Sequence, residues 1–174
     1  MQKIKIFLVD DHEIVLEGMK IFLEHTNEFE IIGTARSISS MFERLENKSV
    51  DVLVLDFKLP DGDGVNASFK LKLLYPKLKI LLVTAFTNKE VIQSALNSEI
   101  DGIAFKTTDA DTLISTIQSL YNGNYVLEGS IPKAIYCNDN VRANIDFTNK
   151  ELKLFELISL GRTNHEIAEQ LNLT

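Results

Sequence analysis

Residues 52–64 read VLVLDFKLPDGDG. Four aliphatic residues end on the carboxylate of Asp56, and Pro60, Gly62 and Gly64 turn the chain away at once. A short run that is apolar on both faces is a strand buried between two layers, so a charge that ends it stands at the rim of the core. Runs of the same kind recur at Ile4 to Val9, Glu30 to Thr34, Ile80 to Thr84 and Gly102 to Phe105, the quoted one starting at Asp51. Between them apolar residues take helical spacing: Ile14, Leu16, Met19, Ile21, Phe22 and Leu23, then Met41, Phe42 and Leu45. Further sets follow at Phe69, Leu71, Leu73 and Leu74, at Val91, Ile92, Ala95 and Leu96, and at Leu113, Ile114, Ile117 and Leu120. Strand and helix alternating five times predict a doubly wound α/β domain with a five-stranded parallel sheet, ending near Gly123.

The 174 residues, 45% of them hydrophobic, suffice for one full domain and part of another. A net charge of -7 disfavours a surface built for the phosphates of nucleic acid. The single Cys137 excludes an internal disulfide, and its place in a polar stretch makes it incidental. No apolar stretch approaches the roughly 20 residues of a membrane helix, and MQKIKI does not open a secretory signal. A cytoplasmic protein without membrane contact is expected. Residues 124–145 show neither period and read as a linker; Thr148 to Glu151 and Thr163 to Glu166 are capping boxes that open two amphipathic helices. The segment 146–174 is thus expected to be a helical domain cut short before a third helix.

In doubly wound sheets ligands sit beyond the carboxyl ends of the strands. Those ends carry Asp10 and Asp11, Asp56, Thr84 and Lys106. Three crowded carboxylates repel unless a cation binds them or some hold protons. Oxygen ligands with room for water describe a Mg²⁺ site that also takes Mn²⁺, and Lys106 with Thr84 would hold the far side of a tetrahedral anion. The set suits phosphoryl transfer to a carboxylate. His12 is expected to be a solvated helix-start residue, Asp61 and Asp63 turn residues, and His25 and His165 lack companions for a zinc site.

The pattern Asp10-Asp11, Asp56-x-x-Leu59-Pro60-x-x-Asp63-Gly64, Thr84-Ala85 and Lys106 resembles the receiver domain of two-component response regulators. The tail FTNKELKLFELISLGRTNHEIAEQLNLT is similar to the opening of the helix-turn-helix output domain of the NarL/FixJ, or LuxR-type, group. The resemblance implies a flavodoxin-like fold with strand order 2-1-3-4-5, a receiver over 1–123, a linker over 124–145, and the first part of the output domain over 146–174 without its recognition helix. It implies that Asp56 accepts a phosphoryl group from a sensor histidine kinase, with Mg²⁺ bound by Asp11, Asp56 and the Lys58 carbonyl and by Asp10 through water. Lys106 would pair with the phosphoryl group, Thr84 would bond to it as the switch, and the backbone N–H groups of Phe57 and Ala85 would complete the cage. Such a chain is a phosphoacceptor rather than an enzyme; DNA binding and a homodimer on activation belong to the full-length protein.

Ile103 departs from the family, which places an aromatic switch residue there. It keeps open a receiver that acts by protein contact without phosphorylation. A Mg²⁺-dependent phosphohydrolase is the other alternative, opposed by Lys58 where a second acid would stand. From Asp146 onward three cations meet five anions, a net -2, so this fragment is not expected to hold DNA.

Overall fold

The protein is described by a computed structural model over residues 3–86 and 88–127. In chain order the elements are β1 (Ile4–Val9), α1 (Glu13–His25), β2 (Phe29–Ala35), α2 (Ile38–Leu45), β3 (Val52–Asp56), β4 (Lys58–Leu59), β5 (Gly62–Asp63), α3 (Gly64–Leu74), β6 (Lys79–Thr84), α4 (Lys89–Leu96), β7 (Gly102–Phe105), α5 (Ala110–Tyr121) and β8 (Val126–Leu127). The strands named in the sequence form a parallel sheet in the order β2-β1-β3-β6-β7, the flavodoxin-like arrangement, and β8 adds a sixth strand beside β7. The first residues of the expected linker are therefore sheet. Two aliphatic residues are too few to show a period, and Gly123, at φ 89°, ends α5 and lets the chain return to the sheet edge. The rest of the linker, both capping boxes, Cys137 and His165 lie outside the described residues.

Successive strand residues serve opposite helix layers. Phe7, Val9, Leu53, Leu55, Leu82 and Ile103 pack with Met41, Leu71 and Ile92, whereas Ile6, Leu8, Val54, Leu81 and Ala104 pack with Leu16, Leu23 and Ile117. This accounts for strands that read as unbroken apolar runs. Not every residue with helical spacing is inside: Ile14, Ile21, Phe69, Leu73 and Leu74 are exposed. In α3 the inward face belongs instead to Gly64, Val65, Ala67, Ser68 and Leu71, small residues that let the helix lie close to the sheet.

Register decides where the strand ends meet. Val9 pairs with Leu55, Asp56 with Val83 and Thr84 with Phe105, so residues 10, 56, 84 and 106 emerge on one rim. The chain order reverses between β1 and β3, and the crevice opens there. Among the described residues no helix is long and apolar enough to cross a membrane.

Candidate functional site

Asp56 is held at the rim by the backbone on both sides. The β3–β6 ladder runs through Asp56, and the Phe57 N–H extends it by donating to Val83 O at 3.1 Å. The next residues fold back as the β4–β5 hairpin, and Gly64 N–H donates to Phe57 O at 2.8 Å. A side chain at Gly64 would put Cβ 2.6 Å from the Asp56 backbone oxygen, so glycine alone lets α3 begin so close to the site. The two aspartates expected as turn residues do more than turn. Asp63 caps α3 through the Asn66 N–H at 2.8 Å. Asp61 accepts from the N–H groups of Ile38 at 2.8 Å and Ser39 at 2.9 Å, tying the hairpin to the first turn of α2.

Asp10, Asp56 and Thr84 are 1%, 4% and 0% exposed. Lys106 Nζ bridges two of the carboxylates, at 2.6 Å from Asp10 Oδ2 and 2.8 Å from Asp56 Oδ2. Asp10 Oδ1 accepts the His12 backbone N–H at 2.9 Å, so both of its oxygens are engaged. Asp11 differs: its Oδ1 is buried and receives no hydrogen bond. His12 Nδ1 stands 2.7 Å from that oxygen, but the ring's hydrogen bond runs to Asp10 Oδ1 at 3.2 Å, so the nearer approach is a contact without alignment. Thr84 Oγ1 accepts the Phe86 N–H at 2.9 Å, which keeps its own proton available for donation. The Phe86 ring meets Phe57 edge-on at 5.6 Å.

Burial pushes the Asp56 carboxyl above its ordinary value; the Lys106 hydrogen bond pulls it down and the like charge of Asp10 pushes it up again. Burial would lower the Lys106 ammonium, yet hydrogen bonds to Asp10 and Asp56 outweigh it and hold the ammonium above its usual range. The two directions agree once charges are counted. Lys106 answers two carboxylates, whereas Asp56 shares one ammonium with a neighbouring acid.

One donor atom each from Asp10, Asp11, His12 and Asp56 lies within 4.8 Å of all the others. The buried Asp11 oxygen without a hydrogen bond, beside acids whose charge exceeds that of Lys106, fits a divalent cation. His12 stands at the helix start and is 63% exposed, as expected, while its ring reaches the edge of the acidic group. Sequence carried a signal for it, adjacency to the acid pair, but not the direction of its ring. The Phe57 N–H expected in the phosphoryl cage is engaged by Val83 O; the N–H aimed at the Asp56 carboxylate belongs to Lys58. Ala85 follows Thr84 at the exposed end of β6. Ile103 is apart from this group: 0% exposed, it pairs with Leu82 and Leu127 inside the sheet, as core.

A model of the response regulator receiver domain matches residues 6–118. The response regulator protein VraR of Staphylococcus saprophyticus is 28% identical over 173 residues, covering 98% of this chain and 83% of that protein. The transcriptional regulatory protein LnrK of Bacillus subtilis is 28% identical over 184 residues, covering 98% of this chain and 84% of LnrK. Among solved structures, the non-phosphorylated receiver domain of the stress response regulator RcsB from Escherichia coli has a TM-score of 0.68 at 25% identity, covering 72% of this chain and 98% of that one.

Proposed function

Because the chain belongs to the NarL/FixJ-type response regulators and carries their receiver domain, we propose that Asp56 accepts a phosphoryl group from a sensor histidine kinase and so switches a transcriptional output. One observation carries this reading: Asp56 ends the central strand, 4% exposed, with Oδ2 held by Lys106 at 2.8 Å. Oδ1, the oxygen that Lys106 does not hold, is the attacking oxygen in this reading, and the Lys58 N–H bonds to the same carboxylate. As its bond to phosphorus forms, the phosphorus–nitrogen bond of the phosphohistidine breaks and the imidazole nitrogen keeps the electron pair. Asp11, Asp56 and the Lys58 carbonyl, with Asp10 through water, would hold Mg²⁺ or Mn²⁺, which would supply positive charge to the phosphoryl oxygens. Lys106 neutralises another oxygen, Thr84 donates its hydroxyl proton, and the backbone donors are the N–H groups of Ala85 and, in place of Phe57, Lys58.

A phosphoryl group adds about -1.5 to -2 charges beside Lys106. Drawing Thr84 toward it also draws Phe86, whose N–H is bonded to the same hydroxyl, and with it the approach to α4. Ile103 has no ring to swing and is fully buried, so the response runs through Thr84 and Phe86 rather than through a ring at position 103. The receiver, whose sheet runs on through β8, is followed by a linker up to residue 145 and the opening of a LuxR-type helix-turn-helix over 146–174. DNA binding and activation-linked dimerisation belong to the full-length protein, a cytoplasmic phosphoacceptor that assists only its own phosphorylation and dephosphorylation.

The test is intact mass after incubation with Mg²⁺ and a small acyl phosphate. One added phosphoryl group, absent when the cation is chelated beforehand and absent from Asp56→Asn, is expected. No gain, or a gain retained by Asp56→Asn, contradicts the proposal, and steady turnover of a phosphate ester would favour the hydrolase instead.

A further inference from the structure

The rim of the sheet opposite Asp56 carries a cavity that phosphoryl transfer does not use. Helix α2 stops at Leu45 and α3 at Leu74, and two short turns lead from them into β3 and β6. Asn47, at φ 60°, and the Lys48 N–H on Leu45 O at 3.0 Å fold the first turn; the Leu78 N–H on Tyr75 O at 3.0 Å folds the second. Between the turns lies a cavity of about 330 Å³ walled by Leu45, Val50, Tyr75 and Leu78. Lys48 and Lys77 also line it, and no acid does. Lys48 Nζ donates to Ile32 O at 3.0 Å, which leaves two of its three N–H donors. Among the described residues Lys77 has no ion pair and the Tyr75 hydroxyl no hydrogen bond.

The sign of a fitting ligand follows from the charges. Each helix presents its carboxyl end here, worth about half a negative charge, against two full positive charges from the lysines. The balance favours an anionic head in a chain whose net charge is -7. At about 30 Å³ for each water-sized unit the space takes about eleven, so the apolar body is small. A plain surface groove with solvated lysines is the rival account, and it predicts no choice among ligands that share a body and differ in the head.

We propose that this cavity binds a small amphipathic carboxylate, with its apolar body on Leu45, Val50 and Leu78 and its head met by Lys48 and Lys77. The site is independent of the phosphoacceptor reading. Both lysines are exposed, so replacing them leaves the core intact.

The experiment follows the amide resonances of the full chain, labelled with ¹⁵N, during titration with decanoate, decanol and decylamine below their micelle concentrations. Decanoate is expected to saturate, with shifts centred on residues 45–50 and 75–78, and to bind about tenfold more tightly than decanol, with decylamine the weakest. In the double variant Lys48→Gln with Lys77→Gln, decanoate should fall to the level of decanol while decanol is unchanged, in an amide spectrum that otherwise overlays wild type. Absence of saturable shifts in these two turns, equal affinity for the three heads, preference for decylamine, or decanoate binding that survives the double substitution overturns the proposal.

Discussion

Replacing Asp56 by Asn should stabilise the receiver at pH 7 in metal-free buffer, although it removes an ion pair. The donor atoms of the acidic cluster lie within 4.8 Å of one another, and at an effective dielectric constant of about 20 unit charges at that separation repel by about 3.5 kcal/mol. Asp10 and the more exposed, better screened Asp11 both act on Asp56. Lys106, at 2.8 Å, attracts it by about 6 kcal/mol on the same scale. Attraction and repulsion nearly cancel, which leaves the burial of a carboxylate to set the sign. Asn keeps the shape without the charge, and Lys106 retains Asp10 at 2.6 Å. The expected gain is about 1–3 kcal/mol, or about 1 M in the urea midpoint.

The pH dependence follows from the raised pKa. A carboxyl whose folded value lies above its unfolded one, near 3.8, contributes its stability in the protonated form, and that contribution is lost as pH rises through the folded value. The advantage of Asn should therefore shrink as pH falls toward 4, and saturating Mg²⁺ should shrink it from the other side by stabilising wild type alone. Urea denaturation followed by circular dichroism at several pH values reads both. A variant no more stable than wild type at pH 7, or a gain that persists unchanged into acid, would refute the electrostatic account of the site.

Asp101 is a partly buried acid of opposite sense: burial would raise it, but Lys72 Nζ at 2.6 Å and the Ile80 N–H at 2.9 Å hold it below its ordinary value. Asp101→Asn should cost about 2 kcal/mol at pH 7, a loss that narrows only as pH falls below the unfolded value, and urea melts at two pH values check it. Gly64→Ala forces Cβ against the Asp56 backbone oxygen, which cannot move aside; it should cost about 1–3 kcal/mol in thermal unfolding and slow phosphoryl uptake measured by mass. Asp61→Ala unties the hairpin from α2 and should cost about 1 kcal/mol, with Asp61→Asn recovering part of it in the same melts.

What the sequence disclosed and what it withheld divide along physical lines. The inner long strands were legible because burial on both faces leaves runs such as VLVLD unbroken, and the chemistry was legible because it stands where those runs stop. Strand β8 was not, since two residues pair only through their backbone and leave no period. Ile14, Phe69 and Leu73 mark a second limit: apolar residues on nearly every side of a helix do not say which side is inside. At the site, composition placed the acids, but the direction of the His12 ring and the choice of Val83 O by the Phe57 N–H depend on register and rotamer. The glycines after Asp56 were expected to shape a tight loop; at Gly64 the space they provide is for the helix that follows.

The central claim is that Asp56, and no other carboxylate of the cluster, takes the phosphoryl group. Borohydride reduces an aspartyl phosphate to homoserine, so trapping after incubation with Mg²⁺ and acyl phosphate, followed by peptide mass mapping, reads the modified position directly. Homoserine at position 56, with Asp10 and Asp11 intact, is the predicted result; conversion at Asp10 or Asp11, or at no aspartate, would contradict it.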